Sequence, residues 1–557
     1  MTYLEKPWQK SYFVGPFKLK KTMAPYPKIN VYKFLMDAAE EYPDNVALAY
    51  LDSELGYTEL LEHVNQFANA LINLNVQKGD MVATVLPTCP QFVIADYAIM
   101  GLGAIHVPLS IMHKAPELAY ELATSKSKVL ICSSRRLKRA LSIKDQTSLE
   151  HVIHTPVPIF PDYKLLDMEP PPDVLSFEEL IAKNSSNFSP VKVNPEQDLA
   201  LLPFTGGTTG KPKATMLTHY NITTNVIQAL HWFLKPLEAG AKGKSAFLIC
   251  VPIFHQYGHW VLHAAISWGL RSILMDARDI GMIADVIRNT RPFGVFGVPT
   301  HYMELLSHEL KRSQTLFFSG AAPLAPDISR KFKEKVGVPM AEGYGMTETS
   351  PCTHVDLSAV SKITGFMSAK GKEGSVGVPI PDTEVKLVDP DTGEEVDIGE
   401  PGEIWVRGPQ VMKGYYPEPG RGLERDGWLR TGDIAKMDDD GYFWIVDRMK
   451  DMVNVSGMKV YSQVIEEILY EHPAVRMAGV IGIPDPERPG SERVKAIIVP
   501  KDTQEISEAE IIAYCKEKLP PYAVPRQIDF RFDIPLTRIL KMDKKRLKEE
   551  ELNKHHT

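Results

Sequence analysis

Apolar and polar positions repeat with two different periods along the first half of the chain. Leu60, Val64, Phe67, Leu71 and Leu74 fall at steps of three and four, which places them on one face of a helix. Lys78-Gly79-Asp80 stops that run, and the apolar stretch from Met81 to Leu86, closed by Pro87, predicts a buried strand. The unit recurs as a helix around Phe92–Met100, a strand at Ala104–Val107 and another at Lys128–Cys132. Strands alternating with helices require crossover connections and a mainly parallel sheet, so the expected class is α/β.

The texture then changes twice. From Thr155 to Asp173 the chain is rich in proline and ends Pro170-Pro171-Pro172, which predicts an extended connection. After about residue 375, short extended runs such as Glu384–Val388 and Glu403–Val406 are separated by polar turns like Asp389-Pro390-Asp391-Thr392-Gly393. From Lys450 onward, Gln463–Tyr470, Ala474–Ile483, Val494–Val499 and Glu508–Lys518 read as a compact α+β unit. The expected architecture is a large N-terminal domain over 1–449 and a small C-terminal α+β domain over 450–557. Within the first, α/β sheet subdomains run to about residue 375 and a β-rich subdomain covers about 376–446.

Composition narrows the partners. At 557 residues the chain should hold three or four folding units, given about 150 residues per domain. Lys+Arg 63 against Asp+Glu 70 gives a net charge of −7, without the basic excess of a nucleic-acid binder. Cys89, Cys132, Cys250, Cys352 and Cys515 are scattered and never spaced as a metal pair, which suits a reducing compartment. The segment Met1–Lys10 lacks the apolar core of a signal peptide. Phe92 to Pro108 is the most membrane-like stretch, yet Asp96, Gly101, Gly103 and His106 interrupt it, and a span needs about 20 apolar residues. A cytoplasmic protein without a transmembrane segment is expected.

The densest chemical signal is Leu199-Ala200-Leu201-Leu202-Pro203-Phe204 leading into Thr205-Gly206-Gly207-Thr208-Thr209-Gly210-Lys211-Pro212-Lys213. An apolar strand delivers a loop whose glycines let backbone N–H groups face an anion, with three threonine hydroxyls and two lysines beside them. It is not a Walker loop: Gly206 and Gly210 are separated by three residues where that loop has four, and Lys211 precedes Pro212. Ala214 to Leu217 reads as a returning strand, so the loop should close a hairpin; a flexible turn is the plain alternative.

This run, with Thr218-His219-Tyr220-Asn221, resembles the phosphate loop of the adenylate-forming superfamily of acyl-CoA synthetases, adenylation domains and beetle luciferases. The resemblance continues in family order. It takes in Pro252-Ile253-Phe254-His255, Ser319-Gly320-Ala321-Ala322-Pro323-Leu324, Glu342-Gly343-Tyr344-Gly345-Met346-Thr347-Glu348 and Trp428-Leu429-Arg430-Thr431-Gly432-Asp433. Asp447-Arg448-Met449-Lys450-Asp451 and Val455-Ser456-Gly457 follow.

The resemblance implies ATP, Mg²⁺ and coenzyme A as cofactor and co-substrates, with residue roles to match. Thr205 to Gly210, Lys211 and Lys213 would cradle phosphates, and Thr347 would meet a phosphate oxygen. Glu348, a hard oxygen ligand, would hold Mg²⁺ together with Thr205. Tyr344 would pack on adenine with Gly320, Ala321 and Ala322 opposite, and Glu342, Gly343 and Gly345 belong to the same nucleotide segment. Asp433 would hold the ribose hydroxyls, with Arg448 as a second contact. Lys450 would be the hinge of a mobile small domain. Ser456, Gly457 and Met458 would face the thiol tunnel after the hinge turns. Lys541, in Pro535-Leu536-Thr537-Arg538-Ile539-Leu540-Lys541, would be the second catalytic lysine. Leu540 stands where the family usually has Gly, and Lys544, Lys545 and Lys548 lie near enough to challenge the register.

His255 is expected to gate the junction of acyl pocket and thiol tunnel, and Trp260, Val298 and Tyr302 to line the acyl pocket. Phe254-His255-Gln256-Tyr257 carries no acid to pair an amino-acid ammonium. The opening Lys6-Pro7-Trp8-Gln9-Lys10-Ser11-Tyr12 is similar to the head of long-chain fatty-acid–CoA ligases. A medium- or long-chain fatty acid is therefore the expected substrate, with an aryl or short-chain acid as the alternative. Because the chain stops at Thr557 without a carrier domain, free CoA is the expected acceptor. A homodimer is compatible with this reading.

Overall fold

The strand predicted over Met81–Leu86 is present as Met81–Val85, and the helix before it spans Tyr57–Asn73. Leu60, Val64, Phe67 and Leu71 of that helix are fully buried, as their spacing requires. Phe67 packs on Phe177 with ring centroids 4.3 Å apart. The helix ends where Asn75 takes φ 59°, a left-handed conformation that asparagine tolerates. The following helix, Pro90–Gly101, is buried on every side from Phe92 to Gly101, which explains its membrane-like composition. The structure is a computed structural model. It describes residues 2–166, 169–205, 211–310, 315–363, 372–488, 490–501, 506–537 and 542–554.

Two large sheets form the first part of the chain. The seven-stranded sheet runs in the order Leu217–Thr218, Leu199–Leu201, Ile105–Pro108, Met81–Val85, Val129–Ser133, His151–Thr155, Leu175–Ser176. All its pairs are parallel except that between Leu199–Leu201 and Leu217–Thr218. The nine-stranded sheet has a parallel centre, in which Ala246–Ile249, Gly294–Gly297, Leu316–Ser319 and Met340–Gly345 lie side by side. Antiparallel strands flank it at both edges. The carboxyl ends of Leu316–Ser319 and Met340–Gly345 deliver the segments Gly320–Ala322 and Met346–Thr349, the usual place for a ligand in a parallel sheet.

The β-rich part is a four-stranded antiparallel sheet of Glu384–Val388, Gly402–Arg407, Leu429–Met437 and Phe443–Arg448. Beyond it, a small α+β domain follows. There the strands Val475–Pro484, Glu492–Pro500 and Gln527–Phe530 form one sheet against the helices Ser462–Glu471, Glu508–Lys518 and Lys544–Lys554. No described helix is long and apolar enough to cross a membrane. All five cysteines are buried and free.

The N-terminal head is part of the fold. Trp8 is 1% exposed and packs edge-on against Phe443 at 6.4 Å. Gly441, at φ 79°, permits this approach: a Cβ there would lie 2.2 Å from the Trp8 Cα. Gly441→Ala should cost roughly 1–2 kcal/mol through the backbone conformation alone, and should loosen the head. Limited trypsin digestion tests this, with faster cleavage after Lys10 expected; wild-type cleavage rates and denaturation midpoint would contradict it.

Candidate active site

The two arms that hold the glycine-threonine loop pair antiparallel, Phe204 opposite Ala214 and Thr205 opposite Lys213. Gly206, Gly207, Thr208, Thr209 and Gly210, predicted to cradle phosphates, lie outside the described residues, as does Lys541. Lys211 and Lys213 are exposed on the returning arm. Their ammonium groups stand over the rings of Tyr120 and Tyr415, at 5.1 Å and 4.9 Å.

Glu348 sits directly across from this hairpin. The turn Thr347–Thr349 carries it, and its side chain is nearly enclosed, with 5% of the residue exposed. Tyr415 donates its hydroxyl to Glu348 Oε1 at 2.8 Å, and Thr205 Oγ1 stands 3.4 Å from the same oxygen. Burial pushes the Glu348 carboxyl above its ordinary range, against the opposing pull of the Tyr415 and Thr205 hydroxyls. A half-satisfied, desolvated carboxylate beside a hydroxyl is a donor set that a hard divalent cation fits. Thr347 is half-buried at the head of the same turn.

A second carboxylate, Asp433, lies where three strands converge. Tyr344 donates its hydroxyl to Asp433 Oδ2 at 2.7 Å, and Arg448 Nε lies 2.9 Å from Oδ1. Asp433 and Arg448 are register partners on neighbouring strands, so the sheet itself places them together. Asp433 is buried while half of the Arg448 side chain faces outward. The Tyr344 ring packs on His354 at 5.6 Å, and burial, with Asp433 adding to it, holds its phenol protonated well above the usual range. Glu342, in the same strand, is pushed well above the carboxylate range by burial, with Asp356 and Glu467 contributing.

The glycines of this region serve two purposes. Gly345 is fixed by its neighbours, because a Cβ would fall 1.8 Å from the Pro351 carbonyl oxygen. Gly320 keeps clearance from the ring of Tyr257, which a Cβ would approach at 3.3 Å. Ala321 follows with φ 70°, a strained conformation for a residue with a side chain. Ala322 continues the same segment.

The expected acyl-pocket residues divide. His255 caps the helix Gln256–Ser267, its Nδ1 accepting from the Tyr257 amide at 3.4 Å. Trp260 lies in that helix and is 5% exposed, and Val298 is 4% exposed. Tyr302 is fully buried in the core with Phe317 and Phe332. Its hydroxyl is satisfied by the Phe318 and Val295 carbonyls, at 2.6 Å and 3.2 Å. Ser456, Gly457 and Met458 form the exposed tip of the hairpin between Val453–Val455 and Met458–Val460. Among the described residues, no hydrogen bond or ion pair joins that tip to Tyr344, Glu348 or Asp433. Instead Lys459 pairs with Asp391 of the β-rich sheet at 2.6 Å.

Three supporting groups escaped the sequence reading. Tyr415 is one. Glu403 is another: 2% exposed, it takes Arg430 Nε at 3.0 Å, the Gly432 amide at 3.1 Å and Trp405 Nε1 at 3.1 Å, thereby fixing the irregular stretch of the strand Leu429–Met437 that carries Asp433. The third is a buried knot between the large and small domains. Lys544 reaches Glu466 at 2.7 Å and Ser462 Oγ at 2.8 Å, while Ser462 Oγ donates to Asp447 at 3.1 Å. Burial opposes the Lys544 charge, but Glu466 and Asp447 outweigh it and hold the ammonium above its usual range. Lys548 donates to the Lys450 carbonyl at 3.3 Å. Lys544 and Lys548 are thus occupied in holding the terminal helix. The signal for the Lys544 knot, a lysine three positions past Lys541, was visible only as a charged helix.

Residues 35–416 match the AMP-binding enzyme family and residues 464–541 its C-terminal domain. The chain belongs to the AMP-binding enzyme family. It is 34% identical to the long-chain-fatty-acid–CoA ligase of Bacillus subtilis (strain 168), over 99% of both chains. It is also 34% identical to a feruloyl-CoA synthase of an Amycolatopsis species, over 89% of this chain and 94% of that one. Among solved structures, the anthranilate CoA ligase AuaEII in complex with anthranoyl-AMP superposes with a TM-score of 0.82 or better, namely 0.84, at 26% identity, covering 97% of this chain and all of that one. This AMP-binding enzyme is an AMP-forming acid–thiol ligase that makes acyl-CoA.

Glu403→Gln should raise the KM for ATP roughly tenfold, about 1.4 kcal/mol, near the low end for a hydrogen bond to a charged group. Steady-state kinetics with varied ATP on the folded variant test this; a wild-type KM would show that Glu403 does not position the strand segment that carries Asp433.

Proposed function

We propose that the enzyme is an ATP-dependent fatty-acid–CoA ligase that forms an acyl-adenylate and then acyl-CoA, releasing pyrophosphate and AMP. The observation that carries this substrate class is the match to a long-chain-fatty-acid–CoA ligase along 99% of both chains. The absence of an acid in Phe254-His255-Gln256-Tyr257 supports a substrate without an ammonium group. A second reading, an aryl acid, is favoured by the feruloyl-CoA synthase match and by the fit to the anthranilate ligase.

In this reading, the acid attacks the α-phosphate of ATP and pyrophosphate leaves. Asp433 receives the ribose hydroxyls, its charge kept available by Arg448. Tyr344 offers its ring to adenine, and Lys211, Lys213 and the loop from Thr205 to Gly210 bind phosphates. Donors placed in advance around the departing charge lower the barrier without reorganising. Glu348 and Thr205 would hold Mg²⁺, which supplies positive charge to the polyphosphate. Lys450 is the hinge in this proposal, dividing 1–449 from 450–557. Lys541 then serves the first half-reaction, and the Ser456-Gly457-Met458 tip serves the second. Because the tip lies exposed beside Asp391, a rotation of the small domain is what would bring it to the thiol path.

AMP release with CoA across acids of increasing length tests the substrate class. For a fatty-acid ligase, kcat/KM should climb by about fourfold per methylene until the pocket is full, the equivalent of ~0.8 kcal/mol each. A higher kcat/KM for ferulate than for dodecanoate would select the aryl reading instead. Lys541→Ala should abolish most pyrophosphate release, yet leave thioester formation from supplied acyl-adenylate near wild type. Equal loss in both steps would reject the role given to Lys541.

A further inference from the structure

The helix Ser134–Leu141 carries Arg135, Arg136 and Arg139. It starts directly after the strand Val129–Ser133, so it stands at the carboxyl ends of the parallel strands of the seven-stranded sheet. Arg136 and Arg139 are three positions apart and share one face. Another arginine, Arg278, arrives from the nine-stranded sheet, in the turn after its strand Arg271–Leu274.

Two of these arginines are already paired. Arg135 donates to Asp162 Oδ1 at 2.6 Å and to the Lys164 carbonyl at 2.9 Å. Arg278 holds Asp276 through Nε and a terminal nitrogen, at 2.8 Å and 2.7 Å, and lies over the Phe160 ring at 5.2 Å. Residues 160–164 are thus gripped from both sheets. The other two arginines lack a counter-charge. Arg139 donates to the His113 carbonyl, a neutral partner. Arg136 is half-buried, and its Nε is enclosed without a hydrogen-bond partner. Among the described residues, neither Arg136 nor Arg139 joins an ion pair. Burial and the charges of Arg139, Arg278 and Arg135 hold the Arg136 guanidinium below its ordinary range. A guanidinium keeps its proton in a protein, so this repulsion stands until an anion meets it.

The cluster borders the reaction crevice. The strand Met81–Val85 pairs with Val129–Ser133, and Thr88, just beyond it, accepts from the Ile253 amide at 3.3 Å, two positions before His255. From the nine-stranded sheet, Tyr50 donates to the Pro158 carbonyl at 2.5 Å, at the head of the segment that Arg135 and Arg278 grip. Of the anions that the reaction handles, ATP has the hairpin of Thr205 and Lys213. CoA is the polyanion left without a charged partner. Its adenosine bears a phosphomonoester, set at the far end of a long arm from the thiol. Such a group brings nearly two charges and three terminal oxygens, which guanidinium forks match.

We propose that Arg136 and Arg139 bind the 3′-phosphate of CoA, with Arg135 and Arg278 holding residues 160–164 as the wall of that subsite. The assignment rests on the acyl-CoA ligase activity and on entry of the thiol beside His255, and not on which acid is used. The phosphate is remote from the reacting centre, so the cluster acts on the affinity for CoA and leaves adenylation alone.

The test compares acyl-CoA formation with CoA and with dephospho-CoA, which lacks only that phosphate. Wild-type enzyme should prefer CoA in kcat/KM by roughly 10–100-fold, the range of hydrogen bonds to charged groups. Arg136→Gln should raise the KM for CoA toward that for dephospho-CoA, while its kcat/KM for dephospho-CoA matches wild type. Because the substitution removes an uncompensated charge, the variant should unfold at or above the wild-type midpoint. Equal kcat/KM for the two thiols in the wild type would overturn the proposal. So would an equal loss with both thiols in Arg136→Gln, an unchanged preference for CoA in that variant, or a rise in its KM for ATP. Acid-dependent pyrophosphate exchange without CoA reports the proposed adenylation separately, and it can persist while the preference for CoA fails.

Discussion

The pairing of Asp433 with Arg448 and Tyr344 is the constraint on which the rest of the site depends. Burying a carboxylate costs several kcal/mol unless a partner charge and hydrogen bonds replace its water. Here the strand register supplies the arginine, since Asp433 and Arg448 are cross-strand neighbours. The phenol comes from a different sheet, on the strand Met340–Gly345. One side chain therefore locks the β-rich sheet to the carboxyl ends of the parallel strands, and the crevice between them is where a nucleotide would lie. Glu403 extends the lock by holding the strand at Gly432, next to Asp433.

Glu348 presents the complementary case. Its partners are two hydroxyls, neither charged, and burial raises its proton affinity. A group left in that state is poised for a cation, whereas Asp433 already has one. In the proposed function the contrast separates two roles that look alike in sequence, a carboxylate for hydroxyl recognition and a carboxylate for a metal.

Much of the architecture was legible because it rests on local periodicity. The faces of the helices Tyr57–Asn73 and Glu508–Lys518 and the strands around Met81, Glu384 and Val475 follow from spacing and turn residues alone. The site motifs were legible only as a family resemblance, since nothing in Thr431-Gly432-Asp433 says which strand will face it. What stayed hidden depends on long-range pairing. Tyr415 reaches Glu348 across 67 positions. Lys544 reaches Ser462 across 82. Asp96 and His106 read as interruptions of an apolar run, and only the fold sets them against His259, 163 positions away from Asp96.

The most direct measurement of the central claim is exchange of labelled pyrophosphate into ATP by purified enzyme, with magnesium and a fatty acid but no CoA. The account predicts exchange that requires the acid and persists without the thiol, because the adenylate forms reversibly before the thiol is used. Acyl-CoA production without any acid-dependent exchange would contradict it.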